Sequence, residues 1–195
     1  MLRIIARDMQ ALLNEIRSCQ TCAGLIPEPR PIVRASSSSR ILIVGQAPGT
    51  KVHASGVSWD DASGKRLRSW MGVDNEIFYD VNKVAIVPMG FCYPGKGKSG
   101  DLPPRPECAP QWHEPVLAHL KDVRCTLLIG QFAQNYYLED FHETLTQRVK
   151  HWQELVPETY VLPHPSPRNQ MWLRRNPWFE NEVVPQLRKT IAALV

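Results

Sequence analysis

Apolar and polar positions along the chain fall into two rhythms. Near the N-terminal end Leu2, Ile5, Met9, Leu12, Leu13 and Ile16 recur at three- and four-residue intervals. That spacing predicts an amphipathic helix over 2–17. A Pro-rich stretch (Pro27, Pro29, Pro31) and a polar serine run at 36–39 follow as a loop. Then comes Arg-Ile-Leu-Ile-Val at 40–44, a short, nearly unbroken apolar run that ends at Gly45. A run without alternation reads as a strand buried on both faces, as in a parallel sheet. Three similar runs lie at 83–87, 126–129 and 159–162, and they end at Pro88, Gly130 and Pro163. Helical periodicity fills the intervals around 65–71, 113–121 and 132–138, and returns over 179–194.

Strands alternating with helices predict right-handed crossovers and a sheet covered on both sides. The expected fold class is therefore α/β: a three-layer α/β/α arrangement with a central four-stranded parallel sheet. The length of 195 residues fits one domain spanning 1–195. Ligands in such folds sit at the carboxyl ends of the strands. Here those ends carry Gly45-Gln46-Ala47-Pro48-Gly49, Pro88-Met89-Gly90-Phe91-Cys92, Gly130-Gln131-Phe132-Ala133 and Pro163-His164-Pro165-Ser166-Pro167.

Composition narrows the setting. Hydrophobic residues make up 43% and charged residues 22%, as in ordinary globular chains. No apolar stretch approaches the roughly 20 residues that span a bilayer. Asp8, Gln10, Asn14 and Glu15 interrupt the N-terminal leucines, unlike a secretory signal, so a cytoplasmic location is expected. A net charge of +4 is compatible with a polyanionic partner and equally with a solvated basic surface. Five cysteines in such a setting argue against a disulfide framework. Cys125 lies within an apolar run and reads as a buried strand residue. The other four are grouped: Cys19 and Cys22 form a CxxC, and Cys92 and Cys108 form a wider pair with fifteen residues between.

The loops carry the candidate chemistry. Two glycines and a proline at 45–49 preset a tight turn whose amides can approach a ligand closely, or simply connect a strand to a helix. The spacing of a Walker loop is absent. In His164-Pro165-Ser166-Pro167-Arg168-Asn169, the prolines stiffen a loop bearing an imidazole, a hydroxyl and a guanidinium. Such a set suits an anion or a phosphate, and a plain surface turn would also accommodate it.

Together the two loops, Gly-x-Ala-Pro-Gly and His-Pro-Ser, resemble the two-motif signature of the uracil-DNA glycosylase superfamily. Gly56-Val57-Ser58-Trp59 followed by Asp61-Ala62-Ser63-Gly64 is similar to its Gly-x-x-Phe and Asp-x-Ser-Gly segments, as in the family-five branch. Arg174-Arg175-Asn176-Pro177 is similar to an Arg-Asn-Pro of the family-four branch. The CxxC ahead of the first strand, and the Cys92–Cys108 pair around a Pro-rich loop, resemble the iron–sulfur branches. The resemblance implies a structural [4Fe–4S] cluster on Cys19, Cys22, Cys92 and Cys108, and four sulfurs would also suit zinc.

The activity implied is that of a monofunctional DNA glycosylase, which flips a nucleotide out of DNA and hydrolyses its N-glycosidic bond. DNA bearing a damaged or deaminated base is then the partner, and the protein is expected to act as a monomer. By similarity, His164 and the amides of the Gln46, Ala47 and Gly49 loop stabilise the departing base. Trp59 is the stacking platform, and Ser166 and Arg168 hold phosphates. Lys65, Arg66, Arg68, Lys96 and Lys98 are further candidate phosphate contacts. The first motif lacks the acid that many members carry, so Asp61 is the candidate catalytic carboxylate; an aspartate there also suits a helix cap. Pro88 stands where several branches place a base-reading asparagine, so either the base is read by other groups or the preferred base is not uracil; the expected substrate is uracil or another deaminated base. Two other readings share these residues: a damage-sensing protein that retains DNA binding without turnover, and a hydrolase of nucleosides or nucleotides.

Overall fold

The computed structural model describes residues 8–138 and 144–195. In chain order its elements are α1 (Met9–Arg17), β1 (Ile41–Val44), α2 (Thr50–Ser55), α3 (Ala62–Met71), α4 (Asn75–Tyr79), β2 (Val84–Ile86), β3 (Lys96–Gly97) and β4 (Gly100–Asp101). They continue with α5 (Cys108–Leu117), β5 (Cys125–Ile129), α6 (Gln131–Tyr137), α7 (Leu145–Lys150), β6 (Thr159–Leu162), α8 (Gln170–Arg175) and α9 (Val184–Ala192). All four predicted strands are present. The predicted opening helix is present from Met9, where Asp8 accepts the Ala11 amide at 2.7 Å as its cap. The expected part over 2–7 lies outside the described residues.

The four strands form one all-parallel sheet in the order β2-β1-β5-β6, flanked by helices in an α/β/α arrangement. Ile41, Leu42, Ile43 and Val44 are all buried, as are Val84, Ala85 and Ile86, which is why these segments showed no alternation. Cys125 is fully buried in β5, as its apolar surroundings required. The register pairs Ile43 with Ile86, Val44 with Leu128, and Ile129 with Leu162, so the strands finish nearly level. From β1 the chain first adds β2 on one side, then returns to add β5 and β6 on the other. The strand order therefore reverses between β1 and β5, and this switch point opens a crevice for a ligand.

Several elements depart from the sequence expectation for local reasons. Helix α3 starts at Ala62 because the Asp61 side chain accepts the Gly64 amide at 2.7 Å. Helix α5 begins at Cys108, ahead of the periodic pattern. Pro110 lies in its first turn, where a missing N–H costs no helical hydrogen bond. The last helical stretch opens as one wide π turn, Phe179–Val183, before α9 continues it. The short α2, α4, α7 and α8 and the β3–β4 hairpin carry too few residues for a period to emerge. Among the described residues no helix is long and apolar enough to cross a membrane.

Candidate active site

The loops leaving β1, β2, β5 and β6 border a single cleft of about 600 Å³ at the carboxyl edge of the sheet. The exits of β1 and β2 are zipped together: Gly45 O accepts the Met89 amide at 2.8 Å and Gln46 O accepts the Gly90 amide at 2.9 Å. That pairing lays Gln46, Ala47 and Gly49 along one wall. His164 and Ser166 come from the β6 exit, Trp59 and Asp61 from the turn before α3, and Arg168 from the rim. Every cleft residue expected from the sequence is thus in one place.

Trp59 is held in an unusual backbone state. Its φ of +58° is left-handed, a conformation costing an indole-bearing residue about 1–3 kcal/mol. Two glycines make room for it. A Cβ at Gly45 would lie 2.8 Å from the indole, and one at Gly64 would fall on the Trp59 carbonyl oxygen. Arg68 donates to that carbonyl at 3.3 Å and lies over the Phe78 ring, so its guanidinium is committed to the fold. Arg66 is committed too: it donates to Ser166 O at 3.3 Å and Gln170 Oε1 at 2.9 Å, tying α3 to the histidine loop. Both were phosphate candidates by sequence; the structure uses them as braces. Lys65, Lys96 and Lys98 are exposed.

His164 stacks against Trp59 with ring centroids 5.6 Å apart. Its Nδ1 accepts the Ser166 amide at 3.2 Å, which places the proton of the neutral ring on Nε2. Burial pushes the imidazole below its ordinary pKa, and the nearby Asp61 carboxylate pulls it part of the way back. The residue is therefore a neutral donor at pH 7. Asp61 serves twice: one oxygen caps α3, and the same carboxylate lines the cleft. Ser166 Oγ accepts the Arg168 amide at 3.2 Å, leaving its own O–H free to donate. Arg168 reaches across the cleft to Ser99 O at 3.3 Å, joining the histidine loop to the β3–β4 hairpin.

Three contributors were missed by sequence reasoning. Asp101, on the hairpin, lines the cleft with its Oδ2 3.3 Å from where a Gly49 Cβ would sit. Gln134 is fully buried and donates to Leu128 O at 3.3 Å and Leu162 O at 3.0 Å, fixing the ends of β5 and β6. His113 donates from Nε2 to Pro88 O at 3.0 Å and receives the Tyr137 hydroxyl on Nδ1 at 2.6 Å. Burial lowers its pKa, consistent with a neutral ring in that relay. Pro88 thus turns its carbonyl to His113 and lines the cleft with no side-chain donor. Asn176, part of the second resemblance, binds Trp172 O at 2.8 Å and finishes α8.

Cys19, Cys22, Cys92 and Cys108 line a second, smaller cavity together with Pro29, Phe91 and Trp112. Three segments meet there: the end of α1, the exit of β2 and the first turn of α5. The Phe91 amide donates to Cys108 Sγ at 3.3 Å. Burial pushes the Cys92 thiol up to about 11 and Cys108 up to about 12, so a metal guest taking thiolates displaces protons. Among the described residues no three His, Cys, Asp or Glu side chains are grouped to hold a single ion.

A level parallel edge, a switch-point crevice and a neutral histidine beside a carboxylate define an α/β protein that handles its ligand between strand-end loops. The family model of the Uracil DNA glycosylase superfamily matches residues 33–188, and the chain belongs to that superfamily. The match covers every cleft residue discussed above and two of the grouped cysteines, Cys92 and Cys108; Cys19 and Cys22 precede it.

Proposed function

We propose that this protein is a monofunctional DNA glycosylase that excises uracil or another deaminated base from DNA. The convergence of the Gln46 loop, Trp59, Asp61 and His164 on one cleft carries this reading. A base within a duplex is out of reach, so the nucleotide swings out and its base rests against the Trp59 indole. As the C1′–N bond breaks, its electron pair leaves with the base, and negative charge builds on a base carbonyl oxygen. His164 Nε2–H and the amides of the Gln46 loop donate to that oxygen. Asp61 faces the positive charge on the sugar and takes a proton from the water whose oxygen bonds to C1′. Ser166 donates to a flanking phosphate.

Within the superfamily, the grouped thiols support placement in the iron–sulfur branch. Cys19, Cys22, Cys92 and Cys108 would hold a [4Fe–4S] cluster, which supplies a cross-link between three segments rather than a step of the reaction. The likeness of the cysteine arrangement to the iron–sulfur branches favours the cluster over zinc. Iron and zinc analysis of anaerobically purified protein, which should be brown, distinguishes them.

The decisive assay incubates the protein with labelled oligonucleotides bearing uracil, hypoxanthine or xanthine, then cleaves abasic sites with alkali. Strand cuts at uracil or at another deaminated base are expected, and His164→Ala should lower the rate about 10²- to 10³-fold. No cut on any substrate removes the enzymatic reading, and tight binding without cuts points to a damage sensor.

A further inference from the structure

Pro88 leaves one stretch of the cleft wall without a side-chain donor, but the same cleft holds a hydroxyl that the fold does not use. Ser58 lines the cleft and is 4% exposed. Its Oγ is shut off from water and has no hydrogen-bond partner among the described residues. A buried hydroxyl left unpaired weighs against the fold, so its presence beside a ligand cleft calls for a partner that the ligand brings. The backbone around it is held firmly. The Tyr79 hydroxyl donates to Ser58 O at 3.0 Å and accepts from Arg68 Nη1 at 3.3 Å. The Asp60 amide donates to Val57 O at 3.3 Å, and Trp59 follows Ser58 directly in its left-handed state. With the main chain fixed, one heavy-atom torsion remains. A turn about the Cα–Cβ bond moves Oγ between the interior and the cleft.

We propose that Ser58 reads the everted base, its Oγ meeting a carbonyl oxygen or a ring N–H on the base edge. This role rests on the glycosylase reading and deepens it by naming the substrate class. That class is bases with a lactam edge, the adjoining C=O and N–H that deamination leaves, in purines as well as pyrimidines. Trp59 and Ser58 line the same cleft, so consecutive residues meet the face and the edge of one base. A hydroxyl has one hydrogen and two lone pairs, and it turns to suit its guest. A carboxamide instead presents a fixed acceptor beside a fixed donor. A serine reader is therefore tolerant: uracil, hypoxanthine and xanthine each give it a partner, and it holds them to a similar degree.

The test measures binding of wild type and Ser58→Ala to oligonucleotides carrying 2′-fluorinated deoxyuridine or deoxyinosine, whose glycosidic bonds resist cleavage. An oligonucleotide with a tetrahydrofuran abasic analogue is the comparison. Ser58→Ala should weaken binding of both base-bearing strands about tenfold and leave abasic binding within about twofold. Its thermal midpoint should be no lower than that of wild type, because the hydroxyl lost has no partner in the fold. Equal losses on base-bearing and abasic strands, no loss on either, or a lowered midpoint overturn the assignment. So does a wild type that grips base-bearing and abasic strands alike. A wild type that cuts no substrate defeats the glycosylase reading alone, since a Ser58-dependent preference for the base would still be read by binding.

Discussion

His164 donates only while its ring is neutral and Nε2 carries the proton, and two neighbours set both conditions. The Ser166 amide fixes the tautomer, and burial sets the charge against the pull of Asp61. Asp61→Asn removes that pull, so the His164 pKa should fall further from its ordinary 6.5; an NMR titration of the ring reads this directly. The linkage to stability follows from the same sign. With the folded-state pKa lowered for both His164 and His113, the unfolded chain binds protons more readily. Stability is complete above the ordinary value of 6.5 and declines as the pH falls from there towards the lowered values. Denaturant midpoints measured across that interval should drop on acidification, and a flat profile would contradict the assignment. At this scale the sequence was informative wherever one motif held a complete arrangement, as in the Gln46 and His164 loops. It was silent on Asp101, His113 and Gln134, whose roles arise from partners distant in the chain. It did not reveal that Arg66 and Arg68 brace the histidine loop and the Trp59 turn, because a guanidinium has the same letters whether it faces phosphate or braces a turn.

Turns and helices position those residues. The turn before α3 depends on Gly64, because the space a Cβ would fill holds the Trp59 carbonyl. Gly64→Ala should therefore displace the left-handed Trp59, costing about 1–3 kcal/mol in a denaturant titration. Excision should fall as well, since the indole loses its place beside His164. The four central strands were readable because burial on both faces writes an unbroken apolar run. The β3–β4 hairpin was not: its strands are two residues each, and its glycines and lysines resemble any open loop. Helix starts shifted for a related reason. Caps such as Asp61 and a proline in a first turn add residues that the apolar stripe does not mark.

For the whole molecule, the sheet order places the crevice, and the grouped thiols stand where three segments around it meet. Cys92 follows the β2 exit whose amides pair with the Gln46 loop, and Cys108 opens the helix that carries His113. If the proposed cluster is held there, Cys92→Ala should lower the iron content and the thermal midpoint together; retention of both would separate the thiols from any metal. The α/β order of elements was plain from alternating periodicities. The meeting of Cys19 and Cys22 with Cys92 and Cys108 followed only from family likeness, because thiol spacing alone does not bring distant segments together.

The carbonyl of Pro88 is already spoken for by His113, deep behind the cleft wall. A guest base pressed against that wall meets a saturated ring instead of an amide. On the glycosylase reading proposed above, that patch of wall would sort guests by outline, since it offers the edge of a base no side-chain donor.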